Sequence, residues 1–222
     1  MVKVVIYDFG MGGELFADYL ERELPVLKVI RVIDWENSDL NSTNHFKTRR
    51  LIESSLQPYL GRVDLIIIAN HFLTQIGLRY LERKYKNQKF IGFHLPTLDT
   101  FVNRDTLILT TSAISRSLAY RLYLHKIHRT SFTIALDDWP TLIDDAAIES
   151  DAIDKIIAGA REQKNFHPKE FIIINSHFAF FDPYFRQHKM KVHTSYYEAL
   201  NEVYTKLKIR GRPKNKHKPR HK

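Results

Sequence analysis

The sequence predicts an α/β protein of two pseudo-symmetric lobes, each a mostly parallel sheet flanked by helices, with a site in the cleft between them. Three observations carry that expectation. Short aliphatic runs alternate with helix-periodic segments along most of the chain, the pattern of strand, crossover and parallel strand. Those runs are apolar throughout rather than alternating, as strands covered on both faces are. Two of them, "IIIANHF" (66–72) and "IIINSHF" (172–178), end alike about a hundred residues apart, which suits two lobes facing one another. A chain of 222 residues with 44% hydrophobic content can fill one large α/β domain or two lobes of about 100 residues each.

The elements follow in order. "VKVVIYD" (2–8) is a strand that stops at Asp8 and the glycines behind it. "GELFADYLERELP" (13–25) sets Leu15, Phe16, Tyr19, Leu20 and Leu24 on one stripe and ends at Pro25, as a helix lying on a sheet should. Further strands are expected at "LKVIRVID" (27–34), "VDLIIIAN" (63–70), "KFIGFH" (89–94), "DTLILTT" (105–111), "TSFTIAL" (130–136) and "EFIIINS" (170–176). Helical patterns separate them over 45–60, 74–86, 114–127 and 150–164. The first lobe is expected over 1–97 and the second over 98–193, with "PTLDTFVNRDT" (96–106), the least periodic internal stretch, as the hinge. A last helix (194–208) is expected to pack back on the first lobe, and 209–222 reads as a disordered basic tail.

Composition excludes several kinds of chemistry. The chain has no cysteine, so it holds no disulfide, no thiolate metal site and no thiol acid, base or nucleophile. The net charge of +9 is not spread evenly: of 34 Lys/Arg, nine fall in Lys206–Lys222, which contains no acid, and the other 25 balance the 25 Asp/Glu. No apolar run approaches the roughly 20 residues that span a bilayer, and the first residues lack a signal peptide's apolar region, so a cytoplasmic protein without a membrane partner is expected.

The first motif is "DFGMGG" (8–13), between the first strand and helix, where Gly12 and Gly13 let backbone amides approach an anion. It lacks the third glycine of a dinucleotide loop and the Gly-Lys-Ser/Thr of a P-loop. The strand ends Asn70-His71 and Asn175-Ser176-His177 supply polar groups where an open α/β sheet places its ligands. His71, His94, His167 and His177 come from separate segments without a metal-binding spacing, and no metal is expected. The acids of "LDDWPTLIDDAAIESDAIDK" (136–155) lack the EF-hand pattern and read as a solvated helix face with N-cap acids. In the tail, Arg210-Gly211-Arg212-Pro213 with Lys214 and Lys216 resembles the AT-hook core, a slim Arg pair that fits an A·T minor groove, so DNA is a candidate partner with strongly salt-dependent binding.

Taken together these motifs resemble the aspartate/glutamate racemase family, glutamate racemase in particular. That family carries a "DSGVGG"-type loop, an "ACNTA"-type strand end, a Thr/Ser-rich turn opening the second lobe and a "GCTHYPL"-type late strand end. The corresponding stretches here are "DFGMGG" (8–13), "ANHFL" (69–73), "TTSAISRS" (110–117) and "INSHFAF" (174–180), and "LDDWPTLIDD" (136–145) is similar to the family's "CPxFVPLVE"; order and spacing agree over about residues 1–207. The resemblance implies a two-lobed fold, a small carboxylate or amino acid in the cleft, no cofactor and often a dimer. Some glutamate racemases also bind DNA gyrase, which makes gyrase a candidate partner.

The family chemistry needs two opposed thiols, and neither is present. The late one corresponds to Asn175 and the early one to Asn70 or Ala69, and an amide cannot do the proton transfer that a thiol of pKa ~8.5 can be tuned to perform. The loop serine is Phe9, the "PYG" after Asp34 is "DLN" (39–41), and the Tyr-Pro after the late His is Phe178-Ala179. Asp8 and His177 match the family's loop Asp and late His. The ligand-binding candidates are therefore Asp8, Gly12, Gly13, Asn70, His71, Thr111, Asn175, Ser176 and His177, with His177 and Asp8 the candidate acid/base couple. The expectation is a racemase-like protein that has lost cofactor-independent racemisation. The alternatives are a nucleic-acid or gyrase-associated protein, or an isomerase with a replaced acid/base pair.

Overall fold

The computed structural model describes residues 1–37, 44–96, 105–126, 131–164 and 166–210. Its first sheet contains β1 (Val2–Asp8), β2 (Leu27–Ile33), β3 (Leu65–Ile68) and β4 (Phe90–Gly92) in the order β2-β1-β3-β4, all parallel. The second contains β5 (Thr106–Thr110), β6 (Ser131–Ala135), β7 (Glu170–Ile173) and β8 (Lys191–His193) in the order β6-β5-β7-β8, again all parallel. Within each lobe the order is second, first, third, fourth strand, so the expected pseudo-symmetry is present in the topology itself. Strand β8 is the addition. "KVH" is three residues of mixed polarity, and its alignment on β7 supplies the order that its composition does not signal.

The helices lie between the strands. In the first lobe they are α1 (Met11–Glu23), α2 (His45–Leu56), α3 (His71–Leu73) and α4 (Arg79–Lys84). In the second they are α5 (Ser112–Ser115), α6 (Leu118–Lys126), α7 (Trp139–Asp144), α8 (Ala152–Lys164) and α9 (Asp182–Gln187), after which α10 (Tyr196–Leu207) returns to the first lobe. The helix expected over 74–86 begins earlier, at His71, and widens into a π-helical turn at Thr74–Leu78. Thr74 is pinned there, its hydroxyl donating to the Ile68 carbonyl at 3.2 Å and accepting the Phe93 amide at 3.0 Å. The helix expected over 114–127 breaks at Arg116–Ser117, because Ser117 Oγ accepts the Tyr120 amide at 3.1 Å and starts a new helix.

Alternating residues of each central strand face opposite layers. From β1, Val4 and Ile6 pack with Phe16 and Leu20 of α1 and with Ala199, Leu200 and Val203 of α10, while Val5 and Tyr7 pack with Ile52 and Leu56 of α2. From β5, Leu107 and Leu109 meet Ile143, Ile153 and Phe178, while Ile108 meets Ile114 and Tyr120. Each such fully buried side chain contributes about 1.5–3 kcal/mol by leaving water. Ile209, just past α10, packs against the first-lobe core. No helix among the described residues is long and apolar enough to cross a membrane.

Candidate functional site

Both sheets end their central strands at one cleft, and two polar webs fill its base. The first centres on Asp8, the last residue of β1, which is wholly buried. Its Oδ1 accepts the Phe9 amide at 2.7 Å and Asn70 Nδ2 at 2.8 Å, and its Oδ2 accepts Ser176 Oγ at 2.9 Å. The Ser176 bond ties the first lobe to the second. Burial pushes the Asp8 carboxyl above its ordinary value, opposed by the charge of His177 and by the Asn70, Phe9 and Ser176 donors. The other face of Asn70 caps α3, its Oδ1 accepting the Leu73 amide at 3.1 Å.

The second web centres on His177. Asn175 Oδ1 accepts the His177 amide at 2.9 Å and lies 3.1 Å from Nδ1, while Asp144 Oδ2 lies 3.3 Å from Nε2. With an acceptor at each ring nitrogen, the site is built for the doubly protonated ring. Burial pulls the imidazole pKa down, but the Asp144 hydrogen bond and the charges of Asp8 and Asp144 outweigh it, so the ring titrates above 6.5. The other Asp144 oxygen accepts the Met11 amide at 2.8 Å, at the start of α1. Asp144 was expected on a solvated helix face; it instead bridges the two lobes, a pairing of residues 133 apart that no local pattern can signal.

The glycine loop makes this approach possible. A Cβ on Gly10 would fall 2.4 Å from Asp144 Oδ2 and 2.6 Å from His177 Nε2, and one on Gly12 would fall 2.3 Å from Ser176 Oγ and 2.7 Å from its carbonyl carbon. Gly13 is held against Asp8 and Ile33. Of the loop amides, that of Phe9 is met by Asp8 and that of Met11 by Asp144, the protein's own carboxylates, and that of Gly13 by the Gly10 carbonyl.

Across the cleft His71 behaves differently. It is buried, and its Nε2 lies 2.8 Å from Ser195 Oγ, while the Ser195 hydroxyl donates to the His94 carbonyl. Since that hydroxyl proton is committed, Nε2 must carry the proton and donate, which leaves Nδ1 a buried acceptor without a hydrogen-bond partner among the described residues. Burial, with the charge of His94 behind it, pushes the His71 pKa down to about 3.

The cavity between the lobes measures about 60 Å³, room for a few water molecules. Phe9, Asn70, His71 and Phe72 line it from the first lobe. Thr111, Ile114, Asp137, Pro140, Asn175, Ser176 and His177 are among those lining it from the second. Six of the expected residues, Asn70, His71, Thr111, Asn175, Ser176 and His177, therefore come together there, while Asp8, Gly12 and Gly13 lie behind that surface. Asp137 is another residue that sequence reasoning did not single out; its Oδ1 accepts the Ser112 amide at 2.6 Å. Among the described residues no three His, Asp or Glu side chains converge as a metal site. Arg210 is exposed past α10, and Gly211, Arg212, Pro213, Lys214 and Lys216 lie outside the described residues, as do 39–41 and most of the expected hinge.

No family model matches the chain, and no curated protein sequence matches it. Solved structures do. Glutamate racemase from Bacillus anthracis superposes with a TM-score of 0.72 at 16% identity, covering 99% of this chain and 86% of that one. Glutamate racemase from Francisella tularensis, solved with D-glutamate, gives 0.71 at 15% identity over 96% and 85% of the two chains. Allantoin racemase from Klebsiella pneumoniae gives 0.56 at 12% identity over 100% and 95%. The chain has the fold of these racemases, and the resemblance drawn from its motifs stands at the level of fold.

Proposed function

We propose that the chain is a racemase-fold protein that no longer racemises amino acids and keeps its interlobe cleft as a small-molecule binding site. The observation that carries this is the fate of the two strand ends. Where the racemase resemblance calls for opposed thiols, Asn70 spends its amide on Asp8 and the Leu73 amide, and Asn175 spends its oxygen on His177. Neither side chain can take a proton from a Cα near neutral pH. The test is deuterium wash-in at Cα with L- and D-glutamate and L- and D-aspartate on the purified full chain. No exchange above buffer is expected. Exchange that disappears in His177→Ala would overturn the proposal and favour the second reading, an isomerase in which His177 is the acid/base. That reading draws on the Asp144–His177 couple, which raises the ring's pKa beside the cleft.

A further inference from the structure

The first lobe carries a second concavity, which measures about 600 Å³ and shares no lining residue with the interlobe cavity. It lies where Arg49 of α2 meets the π-helical turn and α4, and its lining includes Arg49, Arg79, Arg83 and Lys84 but no acid. The stretches that wall it, 45–56 and 74–89, hold eight Lys/Arg against two Asp/Glu, whereas the chain before Lys206 is balanced as a whole. The four cations are unequally committed. Lys84 pairs with Glu53 at 2.6 Å, and the same carboxylate accepts the hydroxyls of Tyr80 and Tyr85. Arg49 is anchored by one nitrogen: its Nε donates to the Ile76 carbonyl at 2.9 Å, which leaves both Nη groups without an acceptor among the described residues. Arg79 and Arg83 have neither an ion pair nor a side-chain hydrogen bond among the described residues. Four positions apart on α4, their like charges repel and disfavour the helix that carries them.

We infer that this groove binds a ligand through a run of two or more linked phosphate groups, held by Arg49, Arg79 and Arg83. Arginine is suited to that task, because its planar fork of N–H donors pairs with phosphate oxygens two at a time. Three guanidinium charges without a local acid call for an anion of at least three charges. A single phosphate group carries about two near neutral pH, whereas a linked pair carries more. The groove has little to offer a nucleobase. Tyr80 is its one aromatic side chain; that ring is already engaged by the Arg49 and Lys84 cations, and its hydroxyl is held by Glu53. Recognition therefore falls on the phosphates, whether inorganic or carried by a nucleotide.

The experiment is calorimetric titration of the full chain, near neutral pH and in low salt, with inorganic tripolyphosphate and separately with ATP, both without magnesium. The two should bind with similar affinity. Arg79→Gln and Arg83→Gln should each weaken tripolyphosphate about fivefold, the scale of one exposed ion pair, and the double variant about 25-fold. Both side chains are exposed, so the melting temperature should hold. A Lys86→Gln/Lys89→Gln variant removes the same two charges outside the groove and should leave affinity within about twofold. Unchanged affinity in the double arginine variant, or an equal loss in the lysine control, overturns the inference and assigns the anion to the basic tail or to overall charge. ATP binding about tenfold tighter than tripolyphosphate overturns the reading of phosphates alone and makes a nucleoside part of the ligand. A single-stranded DNA oligonucleotide that binds where tripolyphosphate does not overturns the small-anion site in favour of a nucleic-acid surface.

Discussion

His71 and His177 follow matching strand ends and are buried alike, 3% and 4% exposed, yet their ring pKa values are pushed in opposite directions. His71 has a hydroxyl and a carbonyl behind it and is pushed down to about 3; His177 has Asp144 at 3.3 Å and Asp8 nearby and is pushed above 6.5. The difference teaches that burial alone selects the neutral ring and that an adjacent carboxylate reverses the choice.

Acid is the strongest lever on this comparison. Because the folded pKa of His71 lies below its unfolded value of 6.5, its contribution is complete above 6.5 and is lost as pH falls toward about 3. At about pH 4 that amounts to about 3 kcal/mol, from 1.36 kcal/mol per pH unit. Urea unfolding across that window should show His71→Phe losing less stability than wild type, and parallel curves would refute the neutral assignment. The glycine loop, packed against His177, Asp144, Ser176 and Asp8, comes next. Gly12→Ala should cost about 2 kcal/mol by forcing α1 away from Ser176. Gly159→Ala in α8, where a Cβ meets nothing within 4 Å, should instead gain about 0.5–1 kcal/mol. Thermal melts showing equal effects would mean the loop yields freely. A smaller effect than that of Gly12→Ala is expected from Asp144→Asn, about 1 kcal/mol near pH 6, where the charged His177 loses its partner. His177 has a raised pKa, so its contribution is complete below 6.5 and fades as pH rises through the folded value. The gap between Asp144→Asn and wild type should therefore close in alkaline buffer, and a gap that widens there would contradict a charged ring.

Much of the scaffold was legible because it is local. Apolar runs such as Leu65–Ile68 and Phe171–Ile174 state their burial on both faces, and the glycines after Asp8 state a tight strand-to-helix turn. The polar strand ends were legible as a pair for the same reason. What stayed hidden depends on distance along the chain. Asp144 looked like one acid among several until the fold set it on the Met11 amide and beside His177, and Ser195, which decides the tautomer of His71, is 124 residues from it. Gly12 read as an anion-binding glycine, whereas the space it leaves is taken by Ser176. Residue type announces what a side chain can do; only the fold decides which neighbour claims it first.

The return of α10 to the first lobe has a consequence for how the molecule is made. Ala199, Leu200 and Val203 form one wall of the core that Val4, Ile6 and Phe16 begin, so β1 and α1 wait for α10, far later in the chain, before that core is closed. The first lobe is therefore closed only after the strands of the second have been made, and the apolar surface that α10 covers is until then one for chaperones to hold.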